Sequence, residues 1–388
     1  MDFELKEEHK MIRDMVRDFV KNEIEPIANK IDEEEIFPEE NIKKMGELGL
    51  MGMEIPEEYG GAGMDSLSYA IAVEEISRVC PAHGVIMSVN NSLFCYGIYK
   101  FGTDEQKKKI LPIIARGERI GAFSLTEPHA GSDASNLKTR AIKKGNEYVI
   151  NGKKVWVTNG SHAKYILLFA VTEPEKKHHG ITCFIVDTEK KGIIKSPPEK
   201  KLGIRAAYSC ELTFEDYVIT EDMRLGNEGE GFKIAMSVLD AGRIGIAAQA
   251  VGIAQGAFEH AVKFSFERET FGKKLYEHQA IQFYLAEMRT RIEAARLLTY
   301  KAAYLKQMGE RFSEWSSMAK LYASETAMWV TDKALQIHGS LGYSREHDIQ
   351  RLFRAAKVTE IYEGTSEIQK IVIARNIINE MKNFYEKV

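Results

Sequence analysis

The chain has 388 residues, which is enough for two or three domains and a large hydrophobic core. Apolar residues make up 44% and charged residues 28% of the sequence, and the formal net charge of -4 gives no basic surface of the kind that binds nucleic acid. Cys80, Cys95, Cys183 and Cys210 show no CxxC or Cys/His ligand spacing, so we predict neither a metal site nor a disulfide framework.

The N-terminal sequence MDFELKEEHK lacks the basic segment followed by an apolar one that marks a signal peptide. No part of the chain approaches the ~20 uninterrupted apolar residues of a membrane-spanning helix. We therefore expect a cytoplasmic protein without membrane insertion.

Three stretches of different periodicity follow one another along the chain. In residues 5–116, apolar positions recur at spacings of three and four, which predicts helices. After Gly117, runs rich in Val, Ile, Thr and aromatic residues alternate with turn signals, which predicts strands as far as Leu225. The helical spacing returns from Gly231. We predict an N-terminal helical domain at 1–117, a middle β domain at 118–226 and a C-terminal helical bundle at 227–388.

Within the β domain, Asn151 and Gly152 stand between the strand-like runs YVI and KKVWV. A type I′ turn needs positive φ at both of its central residues, and Asn-Gly is the pair that best allows it. The pair therefore predicts a tight hairpin at this point.

Two segments of the β domain combine features that suit a flavin. FSLTEPHAGSD, residues 123–133, offers hydroxyls and small residues that bring donors to a polar ring edge. The simpler interpretation is a polar loop that turns at Pro128. In KVWVTNG, residues 154–160, Trp156 is able to cover an isoalloxazine face and Thr158 to reach its edge. A single Trp on a strand, however, more often lies in a core.

Charged residues of the C-terminal bundle mark further candidates. Arg268 carries a guanidinium suited to bidentate phosphate contact, and a solvated arginine at a helix end is the ordinary alternative. Glu363 precedes the capping-box pattern of Ser366 and Gln369, which places it in a loop before a helix. The positive helix end favours its carboxylate and burial raises its pKa, a balance that suits a base near neutral pH. The alternative is an ordinary carboxylate at a helix start.

The chain resembles the acyl-CoA dehydrogenase family along essentially its whole length, and most closely the short-chain members that act on butyryl-CoA. Four segments in family order carry the resemblance: FSLTEPHAGSD, KVWVTNG, LDAGRIGIAAQA with RETFGKKL and HQ, and QIHGSLGY with IYEGTSEIQ. The resemblance implies an α+β multidomain fold with an N-terminal all-α domain, a middle β-barrel-like domain and a C-terminal four-helix bundle. It also implies bound FAD, an acyl-CoA substrate, electron-transfer flavoprotein as electron acceptor, and a homotetramer assembled as a dimer of dimers.

The resemblance further assigns roles to individual residues of these segments. Contacts with FAD are implied for Phe123, Ser124, Leu125, Thr126, Gly131, Ser132, Trp156, Val157, Thr158, Arg268, Glu269, Thr270, Phe271, His278, Gln279, Gln336, Ile337, His338, Gly339, Ser340, Thr365, Ser366 and Glu367. Contacts with acyl-CoA are implied for Ser132, Asp240, Arg243 and Gly364. The FAD site is implied to be shared between subunits, residues 268–279 belonging to the shared part.

The implied reaction makes Glu363 the catalytic base. It removes the α-proton of a saturated, short-chain acyl-CoA while flavin N5 takes the β-hydride, and trans-2-enoyl-CoA is formed. In the family, the backbone N–H of this glutamate and a ribityl hydroxyl of FAD stabilise the thioester oxygen. The alternatives are a medium- or branched-chain acyl-CoA dehydrogenase, an acyl-CoA oxidase, and a non-catalytic protein that binds CoA or flavin.

Three positions bear on the choice among family branches. Gly242 occupies the place where some branches carry the base instead, which agrees with Glu363 in that role. Gly84 stands where relatives acting on dicarboxylic substrates have an arginine, so a plain acyl chain is favoured. Ser340 replaces the second glycine of the common pattern QxxGGxGY and adds a Cβ near the FAD site, which puts the local geometry in question.

Overall fold

The computed structural model describes residues 4–385, with the exception of the side chain of Asn383. Its first part is helical, as the apolar spacing predicts. Thr103 caps a helix together with Gln106, whose side chain accepts from the Thr103 N–H, so the residues TDEQ form a capping box. The helices are α1 (Glu7–Phe19), α2 (Ala28–Glu33), α3 (Glu39–Glu47), α4 (Ser66–Val79), α5 (Pro81–Ser88), α6 (Tyr96–Phe101) and α7 (Asp104–Ala115).

A buried π-helical segment, Val89–Cys95, joins α5 to α6. The side chain of Asn91 donates to the carbonyl of Leu50 and accepts from the N–H of Met53, and the side chain of Asn90 donates to the carbonyl of Met51. Wide helical turns of this kind often occur at functional sites. This segment faces the C-terminal domain next to the site described below.

The middle of the chain forms an eight-stranded sheet in the order β6-β7-β3-β2-β4-β5-β8, with β1 paired in parallel to β4. The strands predicted after Gly117 are therefore confirmed, and two of them, residues 163–171 and 181–187, are buried along almost their whole length. The strands are β1 (Ile120–Ser124), β2 (Arg140–Lys144), β3 (Glu147–Thr158), β4 (Ala163–Val171), β5 (Ile181–Asp187), β6 (Ile193–Lys195), β7 (Ser209–Thr220) and β8 (Arg224–Leu225).

The hairpin predicted at Asn151 and Gly152 is wrong. Strand β3 runs straight through both residues, and they form a bulge in its pairing with β7. The Asn151 side chain accepts from the Asp216 N–H at 2.9 Å, so this backbone donor keeps a hydrogen-bond partner at the bulge. A Cβ on Gly152 would lie 2.5 Å from Thr139 Oγ1, so the glycine serves close packing within a bulge.

The last part of the chain is helical again. Its elements are α8 (Gly231–Glu267), the short strands β9 (Glu269–Thr270) and β10 (Lys273–Lys274), α9 (Gln279–Gln307), α10 (Ser313–His338), α11 (Ser340–Tyr343), α12 (Asp348–Thr359) and α13 (Ser366–Tyr385). The three-domain architecture expected from the resemblance is confirmed. Helix and strand regions meet between Ala115 and Ile120 and between Leu225 and Gly231. The domain limits at 117 and 226 stay predictions.

Helix α8 is the central element of the molecule and packs on α4, α9 and α10. Its glycines allow close approach: a Cβ on Gly252 would lie 2.2 Å from the Glu74 carbonyl oxygen, and one on Gly256 would lie 2.1 Å from that of Arg78. The helix is long and apolar enough to cross a membrane, but 78% of its most apolar window is buried inside the protein. Its apolar length is therefore explained by its position in the core.

Candidate active site

Glu363 lies in the turn between α12 and α13 and adopts an unusual backbone conformation. Its φ is +53° and that of Gly364 is +97°, so two consecutive residues are left-handed. Both carboxylate oxygens of Glu363 are buried, and neither has a hydrogen-bond partner among residues 4–385. A strained backbone that holds an unpaired buried carboxylate is typical of a functional site, because a purely structural carboxylate would be satisfied.

Neighbouring helices hold this turn in place. Gln369 of α13 donates from Nε2 to the Gly364 carbonyl at 2.7 Å and, more weakly, to the Glu363 carbonyl at 3.4 Å. Thr365 Oγ1 accepts from the Ile368 N–H at 3.3 Å and caps α13. The capping box predicted for Ser366 and Gln369 is therefore wrong: the helix begins one residue earlier, and Gln369 is used to secure the turn.

Helix α8 forms the floor under the Glu363 carboxylate. A Cβ built on Gly242 would lie 2.1 Å from Glu363 Oε2 and 2.6 Å from Leu93 Cδ2. The carboxylate therefore stands over a position that only glycine leaves open. Leu93, from the π-helical segment, supplies an apolar neighbour.

The residue before the base secures the turn to α8. Tyr362 donates from its hydroxyl to Gln249 Oε1, and Gln249 Nε2 donates to the Pro81 carbonyl at 2.8 Å. Gln249 is fully buried. The turn that carries Glu363 is thus linked through α8 to the start of α5.

Arg243 and Asp240 lie together on α8, one turn apart. Arg243 donates from one Nη to Asp240 Oδ1 at 2.5 Å and to Ser317 Oγ of α10 at 3.2 Å. Its Nε is buried without a partner among the described residues. Burial raises the pKa of Asp240, and the adjacent guanidinium opposes that rise. The sequence-predicted pair is therefore assembled, with one guanidinium donor unused.

Lys320 of α10 completes the polar surroundings of the turn. It is fully buried, and its Nζ donates to the Gly364 carbonyl at 2.7 Å. Ser317 and Lys320 stand three residues apart, so one face of α10 reaches both Arg243 and the Glu363 turn.

The pKa values of these groups follow from burial and mutual charge. Burial raises the pKa of Glu363 to about 7, and the charges of Lys320 and Arg243 limit the rise. Burial lowers the pKa of Lys320 to about 8, opposed by the charge of Glu363. A carboxyl that titrates near neutral pH is suited to proton transfer in either direction.

Several residues of this site went unnoticed in the sequence: Lys320, Ser317, Leu93, Tyr362 and Gln249. Only Lys320 leaves a recognisable signal there. It is a lysine within SSMAKLYASETA, a run dominated by small residues that predicts a buried helix face. A cation on such a face must have a buried partner.

A second cluster unites the two segments predicted to line a flavin. Thr126, just after β1, accepts at its carbonyl from the Val155 N–H at 3.0 Å. The fully buried Lys154 donates to the Leu125 carbonyl at 2.9 Å and to Glu127 Oε1 at 2.8 Å. Residues 123–126 are thereby fixed beside residues 155–158, as a common binding surface requires.

The side chains of this cluster fit a flavin. Trp156 has a φ of +60° at a bulge of β3 and leaves 59% of its surface exposed, although its neighbours Val155 and Val157 are buried. Thr158 Oγ1 lies 3.2 Å from Ser209 Oγ. Ser124 Oγ is buried without a partner among the described residues. An outward-facing indole with unused hydroxyl capacity beside it suits a polar aromatic ring. Val157, in contrast, has a buried side chain and can offer only its backbone.

Beyond this cluster, Gly131 and Ser132 are exposed and lead into a surface groove of about 380 Å³. The groove is lined by Asp133, Ser135, Asn136, Leu137, Arg140, Val171, Pro174 and Lys177. Two cations in a polar groove suit a phosphorylated ligand.

Two further groups of predicted cofactor residues, 268–279 and 336–340, follow the end of α8 and lie at the end of α10. His338 stacks on Phe264 with ring centroids 4.4 Å apart, and its Nδ1 donates to the Ala334 carbonyl at 2.7 Å. Thr270 and His278 lie within hydrogen-bond distance, 3.3 Å, and Phe271 is 97% exposed with a φ of +52°. The Arg268 N–H donates to the carbonyl of the same Phe264 at 2.9 Å, so residues 336–340 and the start of residues 268–279 meet at the end of α8.

Within this second cluster, side chains point in different directions. The side chains of Ile337 and His338 are buried, whereas Gln336, Gly339 and Ser340 are exposed, as are Arg268, Glu269 and Gln279. Gly339 takes the positive φ of +59° that ends α10, and Ser340 begins α11 with ordinary helical backbone. The Cβ of Ser340 is therefore accommodated without strain in the chain.

No side-chain hydrogen bond, ion pair or ring contact among residues 4–385 joins this second cluster to the Trp156 cluster. Thr365, Ser366 and Glu367 stand apart from both, at the start of α13: Thr365 caps the helix, Ser366 is buried and Glu367 is exposed. The predicted residues thus form three groups within one chain.

Comparison with known proteins places all three domains. The N-terminal, middle and C-terminal domain models of acyl-CoA dehydrogenases match residues 6–118, 122–217 and 229–378. A short-chain specific acyl-CoA dehydrogenase of Clostridium acetobutylicum is 50% identical over 97% of this chain and 100% of its own length.

Solved structures agree. Butyryl-CoA dehydrogenase from Megasphaera elsdenii superposes with a TM-score of 0.96 at 42% identity, covering 97% of this chain and 100% of that one. A chain from a structure of the electron transferring flavoprotein of Acidaminococcus fermentans also reaches a TM-score of 0.96, at 48% identity, covering 97% of this chain and 99% of that one. The chain therefore belongs to the acyl-CoA dehydrogenase family, whose members are FAD-dependent oxidoreductases.

Proposed function

We propose that the protein oxidises a saturated short-chain acyl-CoA to the trans-2-enoyl-CoA, with Glu363 as the catalytic base. The observation that carries this proposal is the buried, unpartnered carboxylate of Glu363, held in a left-handed turn over Gly242. An α-proton next to a thioester carbonyl is weakly acidic, so its removal needs a base that is desolvated and aimed.

Proton transfer follows from the surroundings of the carboxylate. With a pKa of about 7, Glu363 is substantially ionised at neutral pH and still basic enough to take a proton. Lys320 and Arg243 surround it with positive charge, which favours the ionised form before transfer. After transfer, the neutral acid suits its buried position.

FAD is held in this proposal by the Trp156 cluster. Residues 123–126 offer backbone groups and the Ser124 hydroxyl to the edge of the ring, and Trp156 and Thr158 cover one side of it. When bound, FAD supplies the acceptor for the hydride that leaves the β-carbon. The protein residues hold and orient the reactants and accept the proton.

The second cluster, residues 268–279 with 336–340, serves the FAD of a neighbouring subunit in this proposal. Its support is the outward position of Phe271, Gln336 and Ser340 and the lack of bonds to the Trp156 cluster within the described chain. An FAD site completed by a partner requires an oligomer, and we propose a homotetramer assembled as a dimer of dimers. The roles of Thr365, Ser366 and Glu367 as cofactor contacts remain predictions.

The substrate is proposed to be a CoA thioester with a short chain. The groove beside Ser132 carries Arg140 and Lys177, which suit the phosphates of CoA. Asp240, Arg243 and the Gly364 backbone surround the turn of Glu363, and in this proposal they contact the acyl-CoA near its reacting carbons. The short chain is supported by the names of two relatives, a short-chain specific acyl-CoA dehydrogenase and a butyryl-CoA dehydrogenase.

Electron-transfer flavoprotein is the proposed electron acceptor. This proposal is supported by the similarity of the protein to a chain in the structure of the Acidaminococcus fermentans electron transferring flavoprotein. The cytoplasmic location expected from the N-terminal sequence stays a prediction.

The experiment uses the FAD-loaded protein with a panel of acyl-CoAs from butyryl-CoA to dodecanoyl-CoA, with isobutyryl-CoA for branching. We expect anaerobic bleaching of the flavin that is fastest with butyryl-CoA, formation of trans-2-enoyl-CoA, and reoxidation by electron-transfer flavoprotein. Stoichiometric hydrogen peroxide under air would instead identify an oxidase. A yellow protein that no acyl-CoA bleaches would overturn the proposal in favour of a non-catalytic binding protein.

A further inference from the structure

Lys320 is a buried cation that forms no close ion pair among residues 4–385. Its side chain is fully buried in the middle of α10, and its direct partner is a neutral carbonyl, that of Gly364, at 2.7 Å. No carboxylate oxygen of residues 4–385 lies within 4.0 Å of its Nζ. Burying an ammonium is costly unless it is paired, so this arrangement needs a reason beyond packing.

The carbonyl that Lys320 holds belongs to the turn of Glu363. Gln369 Nε2 donates to the same oxygen from α13, also at 2.7 Å, so donors from two helices fix the Gly364 carbonyl. A non-glycine residue seldom adopts the positive φ of Glu363, and it persists only where its surroundings enforce it. Lys320 is one of the groups that hold this turn, together with Gln369 and the Tyr362–Gln249 pair.

Charge provides the second observation. Arg243 and Lys320 are the two cations whose charges act on Glu363, and Arg243 is already paired with Asp240 at 2.5 Å. Lys320 has no such carboxylate and is left to balance Glu363. Accordingly, Lys320 is the largest influence that opposes the burial-induced rise in the pKa of Glu363.

We propose that Lys320 is a positioning residue for Glu363: its ammonium fixes the Gly364 carbonyl so that the turn stays left-handed, and its charge keeps the carboxylate ionised. This inference rests on the proposed function of Glu363 as a base. Lys320 acts through Glu363 and the turn, and it needs no contact with substrate.

Other charged and titratable groups surround the pair and must be considered when pH is varied. The charge of Arg243 on α8 acts on both Glu363 and Lys320, and the charges of Glu360 and Glu367 act on Lys320. The charge of Glu363 in turn acts on the hydroxyls of Tyr69 on α4 and of Tyr362. The pKa of Tyr69 and that of Tyr362 are raised by burial, so both hydroxyls stay protonated throughout the range of interest.

Two neutral variants separate the roles of Lys320. Lys320→Gln keeps an N–H donor for the Gly364 carbonyl but removes the charge, whereas Lys320→Met removes both. Lys164→Met is the matched control, because Lys164 is ion-paired with Asp187 at 2.8 Å and lies in β4. The protonation of Glu363 is followed in the substrate-free protein by infrared spectroscopy. The intensity of its carboxylic-acid band, which is assigned by its loss in Glu363→Gln, is measured as a function of pH.

In both Lys320 variants we expect the titration midpoint of this band to rise by about one to three pH units, as removal of a nearby opposite charge predicts. The pH at which flavin reduction by butyryl-CoA becomes fast should rise equally. Lys320→Gln should regain rapid reduction at high pH, whereas Lys320→Met should stay slower at every pH. An unchanged midpoint in both variants, with Lys164→Met behaving as wild type, would overturn the proposal.

A reciprocal measurement covers the case in which neither variant folds. In protein labelled with ¹³C at lysine Cε, Glu363→Gln should lower the pKa of one lysine, because Lys320 loses its balancing charge. If no lysine signal responds, the proposal is wrong. The infrared and lysine titrations need no turnover, so they test the role of Lys320 independently of catalysis. Failure of acyl-CoA to bleach the flavin of the wild type would count against the proposed function and not against the role of Lys320.

Discussion

Gly242 and Glu363 are in direct contact: a Cβ on Gly242 would stand 2.1 Å from Glu363 Oε2. Two positions at which a base is possible in the family therefore converge on one point in space. Any side chain at residue 242 would occupy the space in which the Glu363 carboxylate lies.

The contact predicts a large effect for a single methyl group. Gly242→Ala should displace the Glu363 carboxylate and slow flavin reduction by butyryl-CoA by about a hundredfold, as misplacement of a reacting group by roughly 1 Å does. Stopped-flow measurement under anaerobic conditions tests this.

Gly256→Ala is the control in the same helix. Its Cβ would lie 2.1 Å from the Arg78 carbonyl oxygen, far along α8 from residue 242. It should lower stability while leaving the pH dependence of flavin reduction unchanged. Equal rates for Gly242→Ala and the wild type would refute the contact as described.

The rate of flavin reduction should depend on pH through Glu363. Burial raises its pKa to about 7, and only the ionised form accepts a proton. Reduction by saturating butyryl-CoA should therefore be slow below neutral pH and rise through about pH 7 to a plateau. A pH-independent rate between pH values well below and well above neutral would contradict this assignment.

The same pKa shift makes Glu363 a source of instability. Its folded-state pKa of about 7 lies above the ordinary 4.5, so between these values the folded protein binds more protons than the unfolded chain. Stability is therefore lost as pH rises through this window. At pH 8, Glu363→Gln should have a higher free energy of unfolding in urea than the wild type, by at most about 3 kcal/mol. This difference in the free energy of unfolding should vanish near pH 4. A variant less stable than wild type at pH 8 would contradict the buried, unpaired state of the carboxylate.

The buried pair of Lys154 and Glu127, behind the loop that we propose to line the flavin, should matter for stability and cofactor retention. Lys154→Met leaves the buried Glu127 carboxylate without its cation and should cost about 3 to 5 kcal/mol in urea unfolding, with loss of FAD on gel filtration. The double variant Lys154→Met with Glu127→Gln should recover part of that loss, because no uncompensated charge remains. No recovery in the double variant would show that packing outweighs the pair.

The order of the domains was accessible from the sequence because it depends on local patterns. Spacings of three and four marked the helices, and Glu363 stood out through its resemblance to a family motif. Local turn chemistry was less reliable. Asn151 and Gly152 have hairpin preferences, but pairing of β3 with the long strand β7 turned them into a bulge. Ser366 and Gln369 matched a capping box, yet Gln369 was taken by the Gly364 carbonyl.

The partners of Glu363 could not be predicted, because they come from distant parts of the chain. Lys320 and Leu93 come close to Glu363 only when α10 and the π-helical segment pack against α8. Nothing in the sequence around Leu93 indicates that it faces a carboxylate. Trp156 was the reverse case: ordinary strand preference favoured a buried indole, and the positive φ at a bulge turned it outward.

The central claim is that Glu363 removes the α-proton. Its most direct test is anaerobic stopped-flow reduction of the flavin by butyryl-CoA in the wild type and in Glu363→Gln, with FAD content and unfolding checked in both. We expect the variant to keep its FAD and its fold while the reduction rate falls by about a hundredfold to ten-thousandfold. Reduction of the Gln variant at the wild-type rate would contradict Glu363 as the base.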